Sequence, residues 1–138
     1  MSTEYAKPFP PVTDLNRPYV EAAGGNALML QQCNNCTSIW FPAAQHCPNC
    51  LAQDFAWKAM SGRAKLWSWI VMHQVYFKSF KEEVPYVVAF VELEEGLHLM
   101  STVVDIDREQ LRCDMPLEVG FVPAKEGTWL PVFRPAAA

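Results

Sequence analysis

The rhythm of apolar and polar positions changes twice along the chain. Up to residue 12 it has no period: Pro8, Pro10 and Pro11 cannot donate to a regular ladder, and the stretch reads as an extended arm. A short helix follows, with Asn16 placed to cap it, Pro18 tolerated in its first turn and Gly24-Gly25 ending it. Ala27 to Gln32 then reads as a strand and Thr37 to Phe41 as its return, broken by Pro42. Phe55, Trp57 and Ala59 alternate with polar or small neighbours and predict a third strand.

A different texture begins at Ser61-Gly62. Ala64 to Phe77 is long, β-branched and aromatic, with Trp67, Trp69 and Val71 expected on one face and Leu66, Ile70 and Met72 on the other. Such a segment suits a curved strand that serves two sides of a small barrel. Tyr86 to Leu93 and Leu97 to Val104 form a hairpin around Glu94-Glu95-Gly96. Asp107 to Leu111 predicts a single helical turn capped by Asp107, and Leu117 to Val122 and Leu130 to Phe133 are the last strands, joined through Glu126-Gly127. Five strands with a short helical insert between the third and fourth describe an OB-fold barrel. The chain thus reads as mainly β: arm and helix over 1–26, a ribbon over 27–60 and an OB-fold over 61–138, with a low-complexity alanine tail from Ala136.

The ribbon carries the chemistry. Cys33-Asn34-Asn35-Cys36 and Cys47-Pro48-Asn49-Cys50 are two C-x-x-C pairs separated by ten residues. A two-residue gap lets a tight turn aim both thiolates at one point, and two such turns complete a tetrahedral four-sulfur site. That geometry is closed, leaving no position for water or substrate, so one structural zinc is expected to hold the fold. Rubredoxin-type iron would use the same thiolates, and two disulfides the same spacing. Nothing in the chain suggests electron transfer, however, and paired thiols with one cysteine left over suit a reducing compartment. Many metal-binding turns of this type carry Gly after the second cysteine, where positive φ is favoured. Here Thr37 and Leu51 stand in those positions.

Composition narrows the partners. A net charge of −4 and a pI near 5.3 oppose a polyanion as main partner, and only Arg63, Lys65, Lys78 and Lys81 could form a basic patch. No nucleic acid is expected, although ribbons and OB-folds both serve that purpose elsewhere. Charged residues make up 19% of the chain, against about a quarter in an average domain, while 12% is aromatic; that balance points to a protein partner surface. No apolar run approaches the ~18 residues of a membrane span, and no signal-peptide pattern opens the chain. A cytoplasmic, non-membrane location is the expectation.

In order and wording the segments resemble the zinc-ribbon/OB-fold proteins associated with acyl-CoA metabolism, long catalogued as a domain of unknown function. The resemblance rests on the short helix before the ribbon, on Cys33 and Cys36 followed by Trp40-Phe41-Pro42, and on Cys47-Pro48-Asn49-Cys50. It continues through Ser61-Gly62, Pro85-Tyr86-Val87-Val88, Glu92-Leu93-Glu94-Glu95-Gly96, Met115-Pro116-Leu117-Glu118-Val119 and Leu130-Pro131-Val132-Phe133-Arg134-Pro135. It covers nearly the whole chain after the arm. It implies a rubredoxin-like zinc ribbon followed by a five-stranded OB-fold, and a non-catalytic accessory subunit that forms a hetero-oligomer with a thiolase-like protein. Such complexes support Claisen-type carbon–carbon bond cleavage or formation on CoA thioesters, with the catalytic residues on the thiolase chain. Hydratase-like partners, or a free-standing acyl-CoA-binding protein, are the family's other patterns.

The remaining candidates read as ordinary. His46 adjoins the metal set, but four cysteines already fill it. Cys113 has Asp114 beside it, which opposes thiolate formation, and no histidine nearby. His73 and His98 lie in predicted strands, and Glu94 and Glu95 read as a solvated hairpin tip. No catalytic residue is assigned. The exception is Tyr76-Phe77-Lys78-Ser79-Phe80-Lys81, basic and aromatic together in a loop that OB-folds often use for binding. Tyr76, Phe77, Lys78, Phe80 and Lys81, together with Trp40 and Phe41, are the expected contacts to a partner protein or to the CoA it holds.

Overall fold

The structure is a computed structural model that describes residues 6–136; residues 1–5 of the arm and 137–138 of the alanine tail lie outside it. Helix α1 spans Arg17–Gly24, with Pro18 in its first turn. Asn16 does not cap it through its side chain. Its Oδ1 instead accepts from the Thr13 N–H at 2.8 Å and its Nδ2 donates to the Pro11 carbonyl at 3.0 Å, so the residue builds the turn that leads into the helix. Asp107 likewise makes no side-chain cap to the 3₁₀ turn Arg108–Gln110 that follows it.

The ribbon is a three-stranded antiparallel sheet of β1 (Met29–Cys33), β2 (Ile39–Trp40) and β3 (Phe55–Ala59), with β1 in the middle. Its registers align Trp40, Gln31 and Trp57 across the three strands. Gln31 is wholly buried in that row, and its amide is satisfied at both ends by the backbone of Ala44, at 2.8 and 2.9 Å. A buried amide left unpaired would cost more than it contributes, so this pairing is what permits a glutamine there. The β2 return is two residues long rather than the five expected.

The second sheet holds β4 (Arg63–Met72), β5 (Tyr86–Leu93), β6 (His98–Ser101), β7 (Pro116–Pro123) and β8 (Trp129–Pro135) in the order β6-β5-β4-β7-β8, all antiparallel. It curls into a half-barrel, and a parallel bridge between Val103 and Phe133 draws its two ends together. This is the mainly β ribbon plus OB-fold expected from the strand pattern. β4 stops at Met72, and residues 73–77 belong to the loop.

The face assignment of β4 is corrected by a bulge. Leu66 pairs with Val91, but the next pair is Ser68 with Phe90, which leaves Trp67 as the extra residue. A bulge shifts the two-residue alternation by one. Leu66 and Trp69 therefore share the inner face, and Trp67 and Ile70 point outward, 49% and 56% exposed.

The two sheets share one apolar core. Leu28, Leu30 and Met60 from the ribbon side pack in the same cluster as Leu66, Ala89, Val91, Leu93, Leu117 and Phe133 from the barrel. Gly62 sits at the junction with φ +83°, and a Cβ there would stand 2.8 Å from Val119 Cγ1, so the chain crosses at a point that only glycine fits. The hairpin tip is tied to the same junction. Glu95 accepts from the Ser61 N–H at 2.7 Å and Glu94 pairs with Arg63 at 2.6 Å. The tip is a brace, not simply a solvated turn.

Candidate metal centre and contact surface

Two turns of the ribbon, one after β1 and one after Pro42, bring Cys33, Cys36, Cys47 and Cys50 together. Their four sulfurs lie within 4.8 Å of one another. Cys33 to Cys50 is 3.6 Å and Cys36 to Cys47 is 3.5 Å, while a tetrahedral ion with bonds of about 2.3 Å requires sulfurs about 3.8 Å apart. These separations, and a spread of no more than 4.8 Å over all four sulfurs, suit one zinc ion. Cys33 and Cys47 are buried against Trp40, with Cys36, Cys50, Ala44, Ala52 and Phe55 around them. Every sulfur is accounted for, so the site is closed and structural.

Donors surround the sulfurs. The Asn35 and Cys36 N–H groups reach Cys33 at 3.3 and 3.4 Å, and the Asn49 N–H reaches Cys47 at 3.4 Å. Two side-chain amides cross between turns: Asn35 Nδ2 lies 3.4 Å from Cys50, and Asn49 Nδ2 lies 3.5 Å from Cys36. Hydrogen bonds to the charged form favour it. Ser38, then Asn49, hold the Cys36 thiol down to about 5, and Asn35, then the Ala52 N–H, hold Cys50 below the ordinary thiol range. Cys33 goes the other way: the Cys36 N–H favours its thiolate, but burial and the Cys50 and Cys36 sulfurs push it up to about 11. The crossing asparagines escaped the sequence reading. Their signal was present in it, since both turns have the form C-x-Asn-C.

The turns keep their geometry without glycine. Thr37 and Leu51 adopt φ of 67° and 66°, and their N–H groups bond the Cys33 and Cys47 carbonyls at 3.0 and 2.9 Å. Left-handed backbone costs a non-glycine residue about 1–2 kcal/mol, of which glycine's extra freedom when unfolded returns part. Leu51 is largely exposed, so Leu51→Gly removes strain and little packing. Thermal unfolding of the zinc-bound variant is expected to show a gain of about 0.5–1 kcal/mol. A loss instead would mean that the Leu51 side chain stabilises the turn.

The expected contact residues divide. Trp40 is 5% exposed, a core residue of the ribbon stacked edge-on to Phe55, so its ring does not face solvent. Phe41 is exposed and leans on Tyr19. In the loop, Tyr76, Phe77, Lys78 and Lys81 are exposed. Phe80 is half-buried, packed on Tyr86 with the Lys7 ammonium over its ring, while Lys7 also pairs with Glu83. Phe80 thus anchors the loop and the arm together.

The structure adds an outer apolar surface that periodicity missed. The bulge turns Trp67 outward, where it stacks on His98 at 4.4 Å and meets Phe90 at 5.5 Å. Ile70, Val88 and Met100 continue the patch, and with Trp67 and Phe90 they line a shallow depression of about 250 Å³. Cross-strand pairs carry the row on through Ile70–Val88 and Met72–Tyr86 to the ring of Phe80. His98 is therefore a stacking residue. His46 is exposed and bonds Gln53 at 2.7 Å, and Cys113 is an exposed free thiol. Among the described residues, no helix is long and apolar enough to cross a membrane.

Comparison with known proteins agrees with this architecture. Residues 21–56 match the family model described as the ChsH2 rubredoxin-like zinc ribbon domain, and residues 57–122 match the ChsH2 C-terminal OB-fold domain. A protein named probable enoyl-CoA hydratase alpha subunit, from Thermomonospora curvata, is 35% identical over 130 residues; this is 94% of the present chain, which spans 40% of that protein. A DUF35 domain-containing scaffold protein of Methanocaldococcus jannaschii is 35% identical over 96 residues, covering 69% of this chain and 67% of the scaffold protein. Among solved structures, a chain of the Ltp2-ChsH2(DUF35) aldolase superposes with a TM-score of 0.80 at 34% identity, covering 94% of this chain and 100% of its own. The ribbon, the barrel and these likenesses together make the chain a member of the ChsH2/DUF35 family of zinc-ribbon and OB-fold proteins.

Proposed function

We propose that this chain is a non-catalytic subunit that binds and supports a thiolase-like enzyme acting on CoA thioesters, in Claisen-type carbon–carbon bond cleavage or formation. The observation that carries the reading is the likeness, over nearly the whole chain, to a subunit of an aldolase named for two components. The scaffold names of other relatives support an accessory role. So does the site chemistry, since the four clustered thiols are fully used by a closed metal set. A hydratase-type partner is the second reading, favoured by the name of the Thermomonospora relative. A reducing, cytoplasmic setting suits the free thiols of either.

The contact surface we infer runs from Phe41 and the loop residues Tyr76, Phe77, Lys78 and Lys81 onto the outer apolar row of β4 and β5. Exposed rings gain most by burial against a partner, and the lysines can pair with CoA phosphates. Assays of the pure chain, the partner and their mixture test the assignment. The chain alone should give no acyl-CoA turnover and should raise or enable the partner's. Robust turnover by the chain, or full activity of the partner without it, would overturn the proposal.

Tyr76→Ala with Phe77→Ala tests the surface. Interface rings of this kind are worth about 2 kcal/mol or more, so association should weaken at least about tenfold with Tm unchanged. Phe80→Ala should lower Tm instead, because that ring belongs to the fold. Lys78→Glu with Lys81→Glu should reduce CoA-dependent activity in a salt-sensitive way. Unaltered association and activity in all these variants would remove the loop from the site.

A further inference from the structure

We propose that Asn35 and Asn49 are a reciprocal pair of positioning residues, each donating from one cysteine turn to the outer sulfur of the other, and that they set how slowly the metal leaves. The two turns handle their sulfurs unequally. The first cysteine of each turn, Cys33 or Cys47, is buried and receives backbone N–H donors from within its own turn. The last cysteine, Cys36 or Cys50, is only half-buried. Beyond it the chain turns through the left-handed Thr37 or Leu51, so that the Ser38 hydroxyl lies 3.3 Å from Cys36 and the Ala52 N–H serves Cys50.

A second donor for each outer sulfur comes from across the site. The Asn35 amide reaches Cys50 at 3.4 Å and the Asn49 amide reaches Cys36 at 3.5 Å. The pattern occurs twice, from the same position of two turns that otherwise differ. The other residue of the first turn, Asn34, faces elsewhere and bonds Asp54 through both its amide and its backbone, and its counterpart in the second turn is Pro48. The third-position asparagine is thus the shared element, and its side chain points at sulfur in both cases.

Chemistry gives the contact a purpose. Four thiolates around a divalent zinc leave two excess negative charges on sulfur, and each N–H···S donor disperses part of that charge. A sulfur lone pair occupied by a donor is also less open to an external electrophile. Because each asparagine spans the two turns, the pair ties them together around the ion. Only the solvent-facing sulfurs need this protection.

The test uses the zinc-loaded full chain and Asn35→Ala, Asn49→Ala and the double variant, with Asn35→Asp and Asn49→Asp as isosteres that keep the shape but lose the donor. Zinc release to a chromogenic chelator is followed during alkylation by N-ethylmaleimide, with mass mapping of the first cysteine modified. Each Ala variant should release zinc about tenfold faster. Asn35→Ala should expose Cys50 first and Asn49→Ala should expose Cys36 first. The Asp variants should be faster still, since they set a carboxylate against a thiolate. In cobalt-substituted protein the sulfur-to-cobalt charge-transfer band should move in every variant, while the circular dichroism of the barrel stays the same. Wild-type release rates, an unchanged order of alkylation, a stationary cobalt band, or Asp variants indistinguishable from wild type would each overturn the proposal.

Discussion

On removal of zinc, both the ribbon and the barrel are expected to lose their cooperative unfolding transition. A structural zinc of this kind contributes about 10–16 kcal/mol of binding free energy, and a small domain has only about 5–15 kcal/mol of total stability. The free energy of binding the ion is therefore comparable to the whole net stability of such a domain. The ribbon has little apolar core of its own: beyond Cys33, Trp40 and Cys47, its buried apolar side chains Leu28, Leu30 and Met60 belong to the barrel's cluster. Loss of the ion frees the two turns first, then β1, and β1 takes those leucines out of the shared core. Cys47→Ser should act in the same way, because Cys47, like Cys33, is a fully buried ligand. Calorimetry with and without chelator checks this, with far-UV circular dichroism for the β content. A barrel transition that survives chelation at an unchanged Tm would show that the two sheets are independent units.

Replacing Phe133 by Ala should cost about 3–5 kcal/mol, close to the whole stability of a marginal domain. Phe133 is wholly buried in β8, opposite Val119. It is also where the half-barrel is drawn together. Its N–H donates to the Thr102 carbonyl at 3.0 Å, its carbonyl accepts from Val104 at 2.8 Å, and it bridges to Val103. The backbone bonds need the strand in place, and the ring holds it there. A cavity at this point removes the contacts that connect the end of β8 to the segment after β6. Denaturant unfolding should show the midpoint falling sharply, with the zinc still bound in whatever fraction remains folded. A drop under about 1 kcal/mol would mean that the neighbouring side chains collapse into the space and the closure does not depend on this ring.

Much of the molecule was legible one residue at a time. The C-x-x-C spacings carried the metal set because ligand geometry is local: two residues between cysteines suffice to aim both sulfurs at one point. The alternation in Tyr86 to Leu93 and the hairpin around Gly96 were equally local, and the structure has β5 with every second residue buried. Caps were less legible. Asn16 and Asp107 stand at the right places, but their side chains found other partners or none, since a cap is one of several hydrogen bonds a short polar side chain can make.

What the sequence determined by itself was therefore the kind and order of the parts: arm, helix, three short ribbon strands with two cysteine turns, five barrel strands and a loop of rings and lysines. Tertiary structure decided which faces those parts present. A one-residue bulge at Trp67, invisible to a two-residue period, moved Trp69 inward beside Leu66 and sent Trp67 and Ile70 outward onto the apolar row. Packing buried Trp40 in the ribbon core and left Phe41 outside. The hairpin glutamates became a brace only because Ser61 and Arg63 lie across from them, and the asparagines reach sulfur only because the second cysteine turn lies opposite the first. Periodicity and spacing record what a residue's own segment does, whereas facing, burial and cross-chain donors depend on segments distant in sequence, whose positions are set by the shared core.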